Sequence, residues 1–471
     1  MDTIWRPQLT DGAGPKYTRV ADAIRSGIAQ GVLEVGGKLP PVRDLAWRLG
    51  ITPGTVARAY SILTNEGVLR AEVGRGTFVA PARTTHVSEN PIEIDSIVHN
   101  SESEDFTHQV NLFSPHLPAV GQDKLIRRLL AQIAERPPSG MMHYPSRAAF
   151  KPAREAVVRW LDNAPIGSFG ECDVVLAHGG QSAILLVLQA VLRGRRPVIV
   201  AEELSYPGFR RAAELLRAEV VPVEMDEHGV VPEALERVAR MHDAQVFCTS
   251  PEVHNPTCGF TPEERRLQLA QVAQRLDFQI LEDDCYRMGR ARASSYRMLA
   301  PERGWYVCSI SKTITPSLRL GFAVAPKGKA AALRRAAEHG FFGLATPLGD
   351  LCAQLLAHPD IPGYTDKVRE VTSAYIKVAV NVLGSYDLTW RRDVPFLWLM
   401  LPQGWRAGAF CQAAEEQGVR LRSADEFACR DARTPHAVRL AVNAGVSLKS
   451  FEAAMLRLRD LLDNPPEQIG V

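Results

Sequence analysis

A lysine set behind two serines at the end of an apolar run is equipped for imine chemistry. This chain carries one in CSISKTITPSLRLG, which supplies Ser309, Lys312 and Arg319. A partly desolvated lysine gives up its proton more readily and then attacks an aldehyde carbon. The neighbouring hydroxyl and guanidinium suit a dianionic phosphate. Three further motifs carry chemistry that converges on one ligand. In ILEDDCYR, Asp283 and Tyr286 stand three apart at a strand end. A carboxylate facing a pyridine nitrogen keeps it protonated and makes the ring an electron sink. A buried acid needs such a partner, so Asp283 either pairs with a cofactor or caps a loop. In HNPTCGF, Asn255 follows the run AQVFCTS, where its amide reaches a phenolic oxygen or simply forms an Asn-Pro turn. In HGGQSAI, Gly180 and Gln181 follow a strand and open a helix, whose free amides bind anions. Taken alone, that last motif is weak, because many α/β turns contain two glycines.

A second group of residues lies near the N-terminus. Arg43, Thr52, Thr55 and Arg58 fall on or before two short helical patterns, and Arg75 and Gly76 fall in the glycine-rich turn of LRAEVGRGTFVA.

Each group needs a scaffold. Tyr17–Gln30 places Val20, Ile24 and Ile28 on one face at helical spacing. A second helix follows Pro40 and Pro41 and stops at Gly50, a C-terminal glycine. A third starts at Thr52-Pro53, where Thr caps free amides and Pro is tolerated at the first helical position. A hairpin around Gly74-Arg75-Gly76 completes a winged helix-turn-helix, whose third helix would enter the major groove. Farther along, β-rich runs alternate with helical ones: CDVVLAH before QSAILLVLQAVLR, RPVIVA before a helix near Pro207–Leu216, and AQVFCTS before PEERRLQLAQVAQRL, then FQILEDD. That alternation predicts an α/β fold with a mainly parallel central sheet and a ligand at the carboxyl ends of its strands. Beyond about residue 330 the chain is more helical, with strands such as PFLWLML and AVRLAV, as in a second lobe. The expected division is residues 1–80 for the winged helix, 81–109 for a linker and 110–471 for the α/β domain. The linker carries one basic residue, Arg83, against six acids. Such a composition is that of a solvated connector.

Bulk composition narrows the class. With 471 residues the chain is long enough for two or three domains. The formal net charge is only +2, so any nucleic-acid surface is local. Residues 1–80 hold ten Lys/Arg against seven Asp/Glu, a surplus that favours DNA. Eight cysteines occur without a C-x-x-C pair, against a zinc site or a disulfide framework and in keeping with a reducing cytoplasm; no metal is expected. Neither a signal peptide nor an apolar run of membrane-spanning length is present, so no membrane partner is expected.

The string GKLPPVRDLAWRLGITPGTVARAYSILTNEGVLRAEVGRGTFVA resembles the GntR family almost throughout. The resemblance implies that Arg43, Thr52, Thr55, Arg75 and Gly76 lie near double-stranded operator DNA. Pro53 stands where that family usually has Arg, with Arg58 a candidate substitute. From Val110 to Asp463, the four motifs in their order resemble fold type I pyridoxal-phosphate enzymes of the aminotransferase class. That resemblance implies pyridoxal 5'-phosphate held as an internal aldimine on Lys312, Asp283 on the ring nitrogen, and Asn255 and Tyr286 on the phenolic oxygen. Gly180 and Gln181 amides, Ser309 and Arg319 would hold the phosphate. Tyr206 in EELSYPGF matches the ring-stacking aromatic, Tyr144 in HYPSRAAF a tyrosine given to the neighbouring subunit's phosphate, and Arg439 in AVRLAV the arginine that pairs with a carboxylate. His178, Cys258 and Ala149 depart from the family pattern. The fusion is similar to MocR-type regulators of the GntR family, which implies a cytoplasmic head-to-tail homodimer sensing a small amine or amino-acid effector through an external aldimine. The alternatives are a working aminotransferase with an accessory DNA-binding module, and a repressor that uses the large domain without cofactor.

Overall fold

The computed structural model describes residue 5 and residues 16–65, 68–72, 76–80, 109–429, 432 and 434–465. Arg75 and nearly all of the expected linker lie outside the described residues. The chain divides into two compact units, residues 1–100 and 101–471.

In the first unit, helices α1 (Lys16–Ala29), α2 (Val42–Leu49) and α3 (Pro53–Asn65) precede an antiparallel hairpin, β1 (Leu69–Glu72) and β2 (Gly76–Val79). Register runs from Leu69 opposite Val79 to Glu72 opposite Gly76. Val20, Ile24, Leu45, Val56 and Leu63 are fully buried together, with Ile28 half-buried beside them. Each such aliphatic side chain contributes about 1.5–3 kcal/mol on leaving water. Gly50 ends α2 with φ 64°, and its N–H donates to Ala46 and Trp47 carbonyls. A Cβ at that φ would be strained, which is why glycine punctuates here. Tyr60 on α3 donates its hydroxyl to the Pro40 carbonyl at 2.8 Å and so locks α3 to the start of α2.

The second unit is built on a seven-stranded sheet of β3 (Val174–Ala177), β4 (Val198–Glu202), β5 (Glu219–Val223), β6 (Val246–Thr249), β7 (Gln279–Asp283), β8 (Gly304–Ser309) and β9 (Gly321–Val324). Their spatial order is β3-β9-β8-β7-β6-β4-β5, and only β9 runs against its neighbours. β3, β4, β6, β8 and β9 are buried along almost their whole length, as expected of a sheet covered by helices on both faces. The smaller lobe holds a four-stranded sheet of β10 (Leu388–Thr389), β11 (Phe396–Met400), β12 (Arg422–Ser423) and β13 (Ala437–Ala441), in the order β10-β11-β13-β12. Helices Ile361–Leu383 and Leu448–Asp463 pack on it around Phe410, Leu440 and Phe451. Among the described residues no helix is long and apolar enough to cross a membrane, and no group of three or more His, Cys, Asp or Glu is arranged for a metal ion.

Candidate functional site

Five strands of the large sheet deliver their following residues to one edge. β3 leads to His178, Gly179 and Gly180, β4 to Tyr206, β6 to Asn255, β7 ends in Asp283, and β8 ends in Ser309 ahead of Lys312. Parallel register sets the match between neighbours, with Asp283 opposite Val307. β9, which runs the other way, brings Gly321 beside both Ser309 and Ala177. Residues more than a hundred positions apart thereby meet at the carboxyl ends of strands, where open α/β sheets bind ligands.

One end of this site is shaped by missing side chains. Helix Gly179–Val191 opens without a side-chain cap at His178, so the amides of Gly179, Gly180 and Gln181 are left for a ligand. A Cβ on Gly179 would stand 2.6 Å from an Arg319 guanidinium nitrogen, and one on Gly180 would stand 2.5 Å from Cys285 Sγ. Gly321 backs directly on the Gly179 backbone, where a Cβ would approach within 2.4 Å. Glycine is thus required on both sides of the turn for Arg319 and Ser309 to come near. The Ser311 hydroxyl is buried here with no hydrogen-bond partner. The Arg319 backbone adopts φ 48°, an uncommon conformation for an arginine.

The neighbouring stretch of the edge is polar and buried to half-buried. Asp283 is 5% exposed and accepts a hydrogen bond from the Cys285 amide at 3.0 Å. Burial pushes its carboxyl up to about 6, against the downward pull of hydrogen bonds from Cys285. A cation beside it would relieve that cost. Tyr206 precedes helix Pro207–Leu215, and its ring meets Phe209 edge-on at 5.9 Å. Burial, foremost, raises the Tyr206 phenol well above its ordinary value. Gln181 spans to this helix by donating to the Gly208 carbonyl at 2.9 Å. Lys312 Nζ lies 5.4 Å from the centre of the Tyr286 ring. Tyr286 in turn packs edge-on against Phe396 of β11 at 5.1 Å.

The third part belongs to the small lobe. Arg439 on β13 is 3% exposed; its Nη1 donates to Asn255 Oδ1 at 2.7 Å and its Nη2 to the Phe113 carbonyl. Phe396 and Phe427 flank the guanidinium at 5.3 and 4.9 Å. Arg439 Nε and Asn255 Nδ2 are both buried without partners. Such orphans are costly unless a ligand completes them. Burial lowers the Arg439 pKa, yet a guanidinium holds its proton.

Of the residues expected from the sequence, Gly180, Gln181, Tyr206, Asn255, Asp283, Tyr286, Ser309, Lys312, Arg319 and Arg439 stand around this one edge. Tyr144 does not join them: it is 89% exposed, in a segment that also exposes Met141 and Met142. Gly179, Cys285, Ser311 and Phe113 were not foreseen. The S-I-S-K spacing could have pointed to Ser311, whereas nothing local marks a backbone carbonyl such as that of Phe113.

In the first unit, Arg43 is exposed on α2, and Thr52 and Thr55 join hydroxyls at 2.9 Å across the start of α3. Arg58 lies 4.3 Å over the Tyr17 ring, exposed and thereby positioned. Gly76 has φ 119° and leaves room for Lys38, whose Cε would stand 2.8 Å from a Cβ there.

An amide cradle with Ser309 and Arg319, a buried carboxyl shifted upward, an orphaned asparagine amide and a lysine on one rim fit a phosphate-tailed pyridine aldehyde. The fold and site define a pyridoxal 5'-phosphate-binding, aminotransferase-like domain joined to a winged helix-turn-helix. The chain matches the family described as "Bacterial regulatory proteins, gntR family" over residues 16–79 and "Aminotransferase class I and II" over residues 108–458. It is 25% identical to the HTH-type transcriptional regulator YdeF of Bacillus subtilis (strain 168), over 98% of this chain and 97% of that one. It is 28% identical to the HTH-type pyridoxine biosynthesis transcriptional regulator PdxR of Corynebacterium glutamicum, covering 80% and 81%. With the HTH-type transcriptional regulator TauR of Rhodobacter capsulatus the identity is 30%, covering 69% and 70%. Among solved structures, LysN, an α-aminoadipate aminotransferase of Thermus thermophilus, shares the fold at TM-score 0.66 and 24% identity, covering 76% of this chain and 92% of that one. An archaeal alanine:glyoxylate aminotransferase does so at TM-score 0.68 and 20% identity, covering 75% and 91%. The chain belongs to the MocR-type branch of the GntR family: it is a pyridoxal 5'-phosphate-dependent, DNA-binding transcription regulator.

Proposed function

We propose that residues 110–471 act as a sensor for a small primary amine bearing an acid group, and that residues 1–80 read operator DNA, with 81–109 linking the two. The observation that carries this reading is Arg439: a buried guanidinium whose Nε has no partner and whose Nη1 bonds Asn255. A planar fork of that kind suits a carboxylate or sulfonate. Pyridoxal 5'-phosphate supplies an aldehyde that captures primary amines and a ring nitrogen that takes up a proton. In this chain, Lys312 supplies the resident amine with which an effector competes. Asp283 holds the proton at the ring nitrogen, Asn255 and Tyr286 meet the phenolic oxygen, and Tyr206 stacks on the ring. The Gly180 and Gln181 amides, Ser309 and Arg319 bind the phosphate, completed by Tyr144 of a second copy in a head-to-tail homodimer. The exposure of Tyr144 supports that last assignment. An effector that bonds Arg439 draws on a small-lobe residue, so its binding energy differs between lobe positions, as a switch requires.

On the DNA side, Arg43, Thr52, Thr55, Arg58, Arg75 and Gly76 are the proposed contacts, in a protein working in the cytoplasm. A second reading, a working aminotransferase, is favoured by the retention of Lys312, Asp283 and Tyr286 together; sustained turnover of an amino acid with a keto acid would establish it. The direct test of the sensor is Lys312→Ala in the full chain. It should lose the lysine-linked visible absorbance and the effect of amines on operator affinity, while binding operator as wild type does. Retained absorbance would exclude Lys312 as the resident amine.

A further inference from the structure

The loop that carries Asn255 is fastened to the small lobe at three points. Asn255 reaches Arg439 in its middle. Near its end, Cys258 Sγ donates to the Phe396 carbonyl at 3.2 Å. At its start, Arg391 Nη1 donates to the Glu252 carbonyl at 2.6 Å. Arg391 stands in the turn between β10 and β11 and is half-buried. Its other face is closed by Asp393, which accepts from Nε at 3.2 Å and from Nη2 at 3.0 Å. Gly289 lets this turn close on the large lobe, because a Cβ there would stand 3.0 Å from Asp393 Oδ2.

Glu252 is the large-lobe anchor. It is 2% exposed, and its carboxylate is held by Arg266 at 3.0 Å and Arg292 at 3.4 Å, with Arg391 at 3.8 Å. Arg266 also bonds the Thr261 and Ser294 carbonyls. The anchor is therefore neutralised and oriented without Arg391. Removing Arg391 leaves no uncompensated buried charge in the large lobe, only a small lobe with one tie fewer.

We propose that Arg391 is a positioning residue for the effector site: it sets the small lobe, and with it Arg439, against the Asn255 loop. This rests on the sensor reading of that site and names the joint through which lobe position and site geometry are coupled. Arg391 touches neither the cofactor position nor the effector position. It acts through Glu252 and the loop.

The test is hydrogen exchange on the full-length, cofactor-loaded protein, with Arg391→Ala, Arg391→Lys and Glu252→Gln beside wild type, together with the pH profile of the bound cofactor's visible absorbance. Arg391→Ala should speed exchange at Phe396–Met400 and Ala437–Ala441 by about tenfold or more, while Gln279–Asp283 and Gly304–Ser309 stay as protected as before. The absorbance profile should move by about half a pH unit, because Asn255 no longer holds its place at the phenolic oxygen. Arg391→Lys keeps a donor for the Glu252 carbonyl and should retain most of the protection, whereas Glu252→Gln keeps that carbonyl but takes the carboxylate from buried Arg266 and should lower protection in the large lobe. Unchanged exchange in Arg391→Ala overturns the proposal. Equal loss of protection in both lobes overturns it too, since Arg391 would then be only a stabilising residue. If no amine alters operator affinity in wild type, the sensor reading fails while the lobe-selective exchange pattern still stands.

Discussion

Arg439 Nη1 and Asn255 Oδ1 meet at 2.7 Å, the one on the small-lobe sheet and the other on a loop of the large lobe. Asn255 thereby has its carbonyl oxygen committed to Arg439 and only its amide left to donate toward the site. Any acid group that bonds Arg439 acts on the same pair. Arg439→Ala deletes one side of a desolvated contact, a change that typically costs about 3–5 kcal/mol. The response to an amino-acid effector should weaken on the order of a hundredfold or more, with cofactor loading nearly unchanged. Spectral titration with amino acids and plain alkylamines measures this. Equal potency of a plain alkylamine would return Arg439 to a purely structural role.

Asp283 gives a pH dependence whose sign follows from its raised pKa. Because burial lifts it from the ordinary carboxylate value to about 6, its contribution to stability without cofactor is fully present below about pH 4 and is lost as pH rises through 6. A shift of two units corresponds to roughly 2–3 kcal/mol at most. Without cofactor, Asp283→Asn should therefore be the more stable protein at pH 8 and equal to wild type near pH 4. With cofactor the order at pH 8 should reverse, since asparagine offers no charge to a protonated ring nitrogen. Denaturant titrations at the two pH values, with and without cofactor, decide it. A stability difference independent of pH would show that Asp283 is paired within the protein.

Arg43 is exposed on α2 and has no ion-pair partner among the described residues. Arg43→Ala should weaken operator binding and make its salt dependence shallower by about one unit of log K against log salt. The folded winged helix should be nearly unaffected, because an exposed side chain outside any ion pair carries little stability. Fluorescence anisotropy across a salt series reads both quantities. An identical slope would remove Arg43 from the interface.

The parts of this architecture that were legible in the sequence are those whose determinants are local. The α1 face of Val20 and Ile24, the glycine stop at Gly50 and the S-I-S-K tetrapeptide each fall within one or two helical turns of sequence. Parallel β-strands buried on both faces show as unbroken apolar runs, and so β3, β4, β6 and β7 were visible as well. The contacts that join the lobes were not. Glu252 and Arg391 are 139 positions apart, and nothing near either residue announces the other. The Phe113 carbonyl that receives Arg439 has no side-chain signature at all. Tyr144 was legible as a motif, yet in this chain it is exposed and stands apart from the other expected site residues.

Gly208 sets two opposing effects against each other. It lies one residue inside helix Pro207–Leu215, where replacing glycine by alanine ordinarily favours the helix by up to about 1 kcal/mol. Here a Cβ would stand 2.0 Å from Gln181 Oε1 and 2.1 Å from the Tyr206 ring, far inside van der Waals contact. Overpacking of that kind typically costs about 1–3 kcal/mol, so the clash outweighs the propensity. The strain falls on Gln181 and Tyr206, which can swing away, rather than on the sheet behind them. Gly208→Ala should therefore fold with a modest loss of stability without cofactor, and lose cofactor affinity by tenfold or more as the stacking ring is displaced. Thermal unfolding without cofactor and absorbance titration with pyridoxal 5'-phosphate separate the two effects. A variant that is both more stable and fully cofactor-competent would mean that Tyr206 does not stack on the ring and that Gly208 is only a helix residue.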